Sequence, residues 1–117
     1  PAYGFWMRHA RSVRLAHVDL DFEEPDERPA VVCDDVEDVK LFDVAAASTR
    51  QTPAVVWLRQ ADGVMPSGCQ ARGPAATWLR VEGGSRRVAL AGNDLRGVAR
   101  PVDRSADSAE VLWEKGQ

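Results

Sequence analysis

The chain has 117 residues, enough for one domain with its own core, and it is 44% hydrophobic and 28% charged, a globular balance. Its formal net charge of -3, with 15 scattered Lys and Arg, excludes the basic patch that nucleic-acid binding needs. No apolar run approaches the roughly 20 residues of a membrane-spanning helix, so neither nucleic acid nor membrane is expected as a partner.

The chain opens at Pro1 with no signal peptide after it, which points to processing or excision. Tyr3, Gly4 and Phe5 then lead into four segments that align with one another. They begin at Gly4 (GFWMRHARSVRLAHVDLDF), Ala30 (AVVCDDVEDVKLFDVAAA), Val55 (VVWLRQADGVMPSGCQA) and Thr77 (TWLRVEGGSRRVALAGNDL). Val13, Val39, Val64 and Val88 hold the same place in each, 26, 25 and 24 residues apart. The fourth segment needs one extra residue within Gly83–Arg87.

Within each segment, apolar residues alternate in short bursts joined by steps of three. The first reads Phe5, Met7, Ala10, Val13, Leu15, Val18, Leu20, and the second Val31, Cys33, Val36, Val39, Leu41, Val44, Ala46. The third reads Val56, Leu58, Ala61, Val64, Pro66, Cys69, Ala71, and the fourth Leu79, Val81, Gly84, Val88, Leu90, Asn93, Leu95. Period two means strands with one buried face, and each step of three marks a corner. A helix would need spacings of three and four sustained over ten or more residues. The pattern predicts an all-β fold, a right-handed parallel β-helix of about four coils (4–29, 30–54, 55–76 and 77–102). Residues 103–117 follow as a loop and capping strand, with Val111, Leu112 and Trp113 as the cap. The other end has no such cap, so the chain reads as a fragment of a longer solenoid, prone to self-association through its first coil.

The register also places outward residues in columns. Arg8, Asp34, Arg59 and Glu82 share one, with charges of alternating sign. Trp6 and Trp57 share another with Val32 and Arg80. Cys33 and Cys69 fall in different columns, too far apart for a bridge, and two cysteines make neither a disulfide framework nor a zinc site.

Tyr3-Gly4-Phe5, Arg8-His9-Ala10, Val13–Leu15, Glu24–Ala30 (EPDERPA) and Asp34-Asp35-Val36 together resemble a late region of glycoside hydrolase family 28, the polygalacturonase-like enzymes. The LRQADGV and GNDLRG stretches fit the same kind of coil. This resemblance implies a pectin-lyase-like β-helix and a parent protein that hydrolyses pectin-type polysaccharide with inversion, using two separated carboxylates. It also implies a secreted or periplasmic setting. The family's Asn-Thr-Asp, Gly-His-Gly and Arg-Ile-Lys motifs do not occur here, and Asp34-Asp35, in the context Cys-Asp-Asp-Val, lacks their support. No catalytic residue is therefore carried over, and no cofactor or metal is implied.

Several residues still invite a chemical role. Paired carboxylates can divide acid and base work, but Asp34 is expected to pair with Arg8 and Arg59, and Asp35 to end a strand at a corner. His9 is placed beside Asp35, and two histidines without a third ligand make a poor metal site. Asn93 faces inward and must be hydrogen-bonded to backbone at its corner. Trp6 and Trp57 are the candidate carbohydrate contacts, unless the tail with Trp113 covers them. The sequence therefore predicts the non-catalytic C-terminal part of a polygalacturonase-like glycoside hydrolase, contacting polysaccharide through the parent protein. The alternatives are a β-helical carbohydrate-binding or adhesion module, or part of another β-helix enzyme such as a pectate lyase.

Overall fold

The computed structural model describes residues 2–113. The elements are β1 (Phe5–Leu20), β2 (Val31–Ala46), β3 (Val56–Ser67), β4 (Gln70–Ala71), β5 (Ala75–Glu82), β6 (Arg86–Leu90), β7 (Val98–Arg104) and β8 (Leu112–Trp113), and no helix occurs among the described residues. Every strand pairing is parallel. The strands stack as β1-β2-β3-β5-β7, with β6 on β3 and β8 on β6. The molecule is a β-solenoid of about four turns, and the segment alignment is its register.

The interior files follow from that register. Val13 pairs with Val39, Val39 with Val64, and Val64 with Val88. Met7, Cys33, Leu58 and Val81 make a second file, and Phe5, Val31, Val56 and Leu79 a third. Cys33, Val39, Leu58 and Val81 are fully enclosed. Burying one Val or Leu side chain in this way stabilises by about 1.5–3 kcal/mol.

Each step of three in the sequence contains one residue with a left-handed backbone. At the first corner these are His9 (φ 54), Asp35 (φ 57), Gln60 (φ 50) and Gly83 (φ 69). The second corner has Ser12, Asp38, Gly63 and Arg87, and the third has His17, Asp43, Gly68 and Gly92, all at positive φ. A single such residue turns the chain while letting the next side chain point inward again, so a skipped residue in the apolar pattern is a bend in space. Asp and Gly tolerate this region best, and the bulkier Gln60 and Arg87 occupy it under strain.

The fourth coil departs from the expected inward set. Gly84 is exposed, and Ser85 takes the inside position, fully buried. The extra residue pushes the backbone out of step with the coil below. Ser85 compensates: its Oγ accepts from the Ala61 N–H at 2.9 Å and donates to the Glu82 carbonyl at 2.7 Å. Above it, the Ser108 Oγ accepts from the Ser85 N–H at 3.1 Å. Side-chain oxygens thus replace the ladder carbonyls where the repeat loses register. Pro66, an outlier in the apolar pattern, is nonetheless buried in its inward file.

The two ends differ. At the far end Val111 turns inward and is buried, and Trp113 pairs with Leu90. Leu112 and Trp113, expected with Val111 to seal this end, instead stay exposed. Residues 114–117 of the expected tail lie outside the described residues. At the near end, Met7, Val13, Leu15 and Val18 of β1 remain half-buried, because only β2 packs on them. The sixteen residues of β1 leave one backbone edge unpaired within the described chain. Trp78 was not marked by the pattern, yet it is the largest fully buried side chain. It lies inside β5, in the run Thr77, Trp78 and Leu79 that is buried without alternation.

Candidate functional site

One side of the coil combines aromatic and charged residues. Its outward positions are every second residue of Phe5–Arg8, Val31–Asp34, Val56–Arg59 and Leu79–Glu82. Trp6 pairs with Val32, Val32 with Trp57, and Trp57 with Arg80. Beside that column stand Arg8, Asp34, Arg59 and Glu82 in register.

Trp6 is 56% exposed, while Trp57 is half-buried and Val32 covered. The Arg80 guanidinium lies 4.8 Å from the centroid of the Trp57 ring, a cation–π contact, and reaches Asp103 at 3.3 Å. Pro29, Val32, Trp57 and Arg59 frame a small hollow of about 190 Å³. The Trp57 Nε1 donor is shielded from solvent and has no acceptor. Trp113 does not cover this side: it sits on β8 against β6, beyond the second corner. What shields Trp57 is its own neighbourhood, Arg80 above all.

The charged column is only loosely paired. Arg8 Nε stands 3.8 Å from Asp34 Oδ2, and Arg59 Nε 3.6 Å from Glu82 Oε1. Arg59 thus reaches upward to Glu82 rather than down to Asp34. These exposed pairs contribute little to stability and leave their hydrogen-bonding groups open to a ligand.

Asp34 and Asp35 do not form a carboxylate pair. Asp34 faces Arg8, whereas Asp35 sits on the corner and its Oδ2 accepts from the His9 Nδ1–H at 2.6 Å. His17 and Asp43 repeat the same rung at 2.7 Å on the third corner. Both histidines are thus occupied by a carboxylate one coil away, as the register places His9. No group of three or more His, Cys, Asp or Glu side chains able to hold a metal ion occurs among the described residues.

The inward polar groups have structural partners. Asn93 Oδ1 accepts from the Cys69 N–H at 2.8 Å and its Nδ2 donates to the Pro66 carbonyl at 3.2 Å. Its partners are therefore on the coil below, the same device as at Ser85. Cys33 and Cys69 are both free and buried. Burial pushes the Cys33 thiol up to about 12 and also raises Cys69. Asp62 is clamped by Arg86 at 3.1 Å and by Arg87, which holds its carboxyl below the usual range.

Sequence reasoning missed Tyr3 as an anchor. Its hydroxyl donates to the Ala47 carbonyl at 2.6 Å, and its ring meets Phe22 edge-on at 5.4 Å. The chain's only tyrosine thereby pins the loop that follows β1. Nothing in the repeat marks a residue that lies before the first strand.

The fold and this side define a parallel β-solenoid with a mixed aromatic and ionic outer face. No protein-family model, curated protein or solved structure matches the chain significantly.

Proposed function

We propose that this chain is the non-catalytic, closing part of a polygalacturonase-like glycoside hydrolase acting on pectin-type polysaccharide, and that its Trp6–Trp57 side borders the saccharide path. The single observation that carries this reading is the outward pair of columns. The exposed Trp6 indole offers a face to a sugar ring, the half-buried Trp57 with Arg80 on its ring stands in the same column, and the charged column beside them supplies donors for hydroxyls and carboxylates. Trp6 and Trp57 lie two coils apart, about 9.6 Å, so one saccharide chain running along the axis can meet both. The half-buried inward side chains of β1 support continuation of the solenoid beyond that strand. The residue-level resemblance to family 28 supplies the substrate class.

A non-enzymatic carbohydrate-binding module is the second reading. It is favoured by the separate engagements of Asp34 and Asp35, which face Arg8 and His9 rather than each other. Both readings require sugar contact at the same tryptophans.

Titration of the whole chain with oligogalacturonide, followed by tryptophan fluorescence, tests that contact. A saturable shift is expected, abolished by Trp6→Ala and weakened by Trp57→Ala. An unchanged spectrum at millimolar saccharide, or a shift that survives both substitutions, overturns the reading. Hydrolysis by the longer protein, retained after Asp34→Asn and Asp35→Asn, distinguishes the non-catalytic role proposed here from a catalytic one.

A further inference from the structure

The side between the second and third corners carries a surface that the saccharide reading does not use. Its outward positions stack as Arg14 on Lys40 on Met65, and beside them Ala16 on Phe42 on Ser67. Further along, Ala89 pairs with Leu112. Phe42 is 49% exposed, Met65 43% and Leu112 69%. The first six of these residues line a shallow, mostly apolar hollow of about 310 Å³.

Its cations lack the counter-charges that the other charged ladders have. Most stacked outward charges elsewhere are of unlike sign, as in Arg8 with Asp34, Arg11 with Glu37, Arg59 with Glu82, and Arg80 with Asp103. The like-charged rung of Glu37 on Asp62 is neutralised by Arg11, Arg86 and Arg87. Arg14 and Lys40 are neighbouring rungs of like charge, a destabilising arrangement. Among the described residues neither has a carboxylate partner. An uncompensated cation pair beside exposed Phe42 and Met65 is complementary to a ligand that is acidic at one end and apolar along its length.

The geometry points to a docking surface for an acidic amphipathic α-helix of a partner protein, with its carboxylates over Arg14 and Lys40 and its apolar stripe on Phe42, Met65 and Leu112. The strip crosses the stacked strands along the solenoid axis, about 19 Å at about 4.8 Å per coil. That length holds about 13 helical residues at about 1.5 Å each. A saccharide is less suited than a helix, because Arg14 and Lys40 stand at one end and the rest of the strip, Phe42, Met65 and Leu112, offers apolar surface rather than partners for sugar hydroxyls. Two cations on a chain of net charge -3 are too few to hold an anionic membrane surface. A second copy would bring the same unpaired cations to the contact.

The test uses the whole chain and a fluorescein-labelled, helix-forming peptide of about 14 residues. The peptide carries Glu in its first turn and Leu at i, i+3, i+4 and i+7. Fluorescence anisotropy should show saturable binding that weakens with added salt. Arg14→Glu with Lys40→Glu, and separately Phe42→Ser, should each weaken it by about tenfold or more. Circular dichroism checks that these exposed substitutions leave the fold intact, and Arg14→Gln with Lys40→Gln replaces the reversal if they do not. A wild-type chain that leaves the peptide free at about 1 mM, or variants that bind unchanged, overturns the proposal. So does co-sedimentation with anionic vesicles, or dimerisation through this side, in place of peptide binding. Trp6→Ala should leave peptide binding unchanged, which separates this surface from the saccharide reading.

Discussion

The Tyr3 hydroxyl and the Ala47 carbonyl, 44 residues apart, meet at 2.6 Å. This bond ties the entry to β1 directly to the exit from β2, one coil away. Burial, and then the negative charge of Asp21, push the Tyr3 hydroxyl up to about 12 from 10.0. The neutral phenol is thus favoured in the folded state. Its contribution is complete below pH 10 and is lost as pH rises towards 12. Because the chain has one tyrosine, ultraviolet absorbance of the phenolate reports this site alone. The native midpoint should lie near 12 and return to about 10 in denaturant. A native midpoint at the lower value would show that the hydroxyl is not held as described.

Leu15 and Leu41 are partners in one inward file, with only the second fully enclosed. Leu41→Ala should cost about 2–5 kcal/mol by chemical denaturation. Leu15→Ala should cost roughly half as much or less, because water already reaches its position. Equal losses would mean that something covers β1 in solution.

Gln60 and Gly63 occupy left-handed corners of the same strand. Gln60→Gly removes the strain of a side chain there and should be neutral or stabilising by up to about 1 kcal/mol, since greater freedom of the unfolded chain offsets part of the gain. Gly63→Val places a β-branched residue at φ 77 and should destabilise by about 2 kcal/mol or more. Thermal melts of the two variants should therefore move in opposite directions or, at the least, differ clearly in size.

Cys33, fully enclosed and with its thiol raised to about 12, should not react with an aromatic disulfide reagent at neutral pH in the native chain. Cys69, also buried, should behave alike. Both should react within the mixing time after unfolding. Rapid native labelling of either would place that thiol at the surface.

Much of the fold was legible because a stacked solenoid repeats its burial once per coil. The alternation and the steps of three report, respectively, the pleat and the corners, so Val13, Val39, Val64 and Val88 could be aligned from spacing alone. The same register placed His9 beside Asp35 and Trp6 in the column of Trp57. It failed where the period slips. Gly84 and Ser85 compete for one interior place, and the winner is decided by hydrogen bonds to the coil below, which no apolar pattern encodes. It also failed at Tyr3, which precedes the first strand, and at Trp78, which lies within β5 but breaks its alternation, since Thr77, Trp78 and Leu79 are buried in succession. The Trp6–Trp57 side was visible as a column. Its shielding by Arg80 was not, because a cation–π contact leaves no periodic mark. The like-charged Arg14–Lys40 rung stands out only once its lack of partners is seen in space.

The left-handed corners set what kinds of length change the molecule can absorb. Since every turn meets its neighbours at the same three bends, removal or duplication of a complete turn would reconnect matching ends and preserve the lattice of files. Loss of a single residue between bends would rotate all later side chains out of phase until a loop restored the count. The single-residue slip at Gly83–Arg87 was accommodated only with Ser85 and Ser108 as substitute rungs. Descendants of such a chain are therefore expected to differ by whole turns or by loop length, and seldom by one residue within a strand.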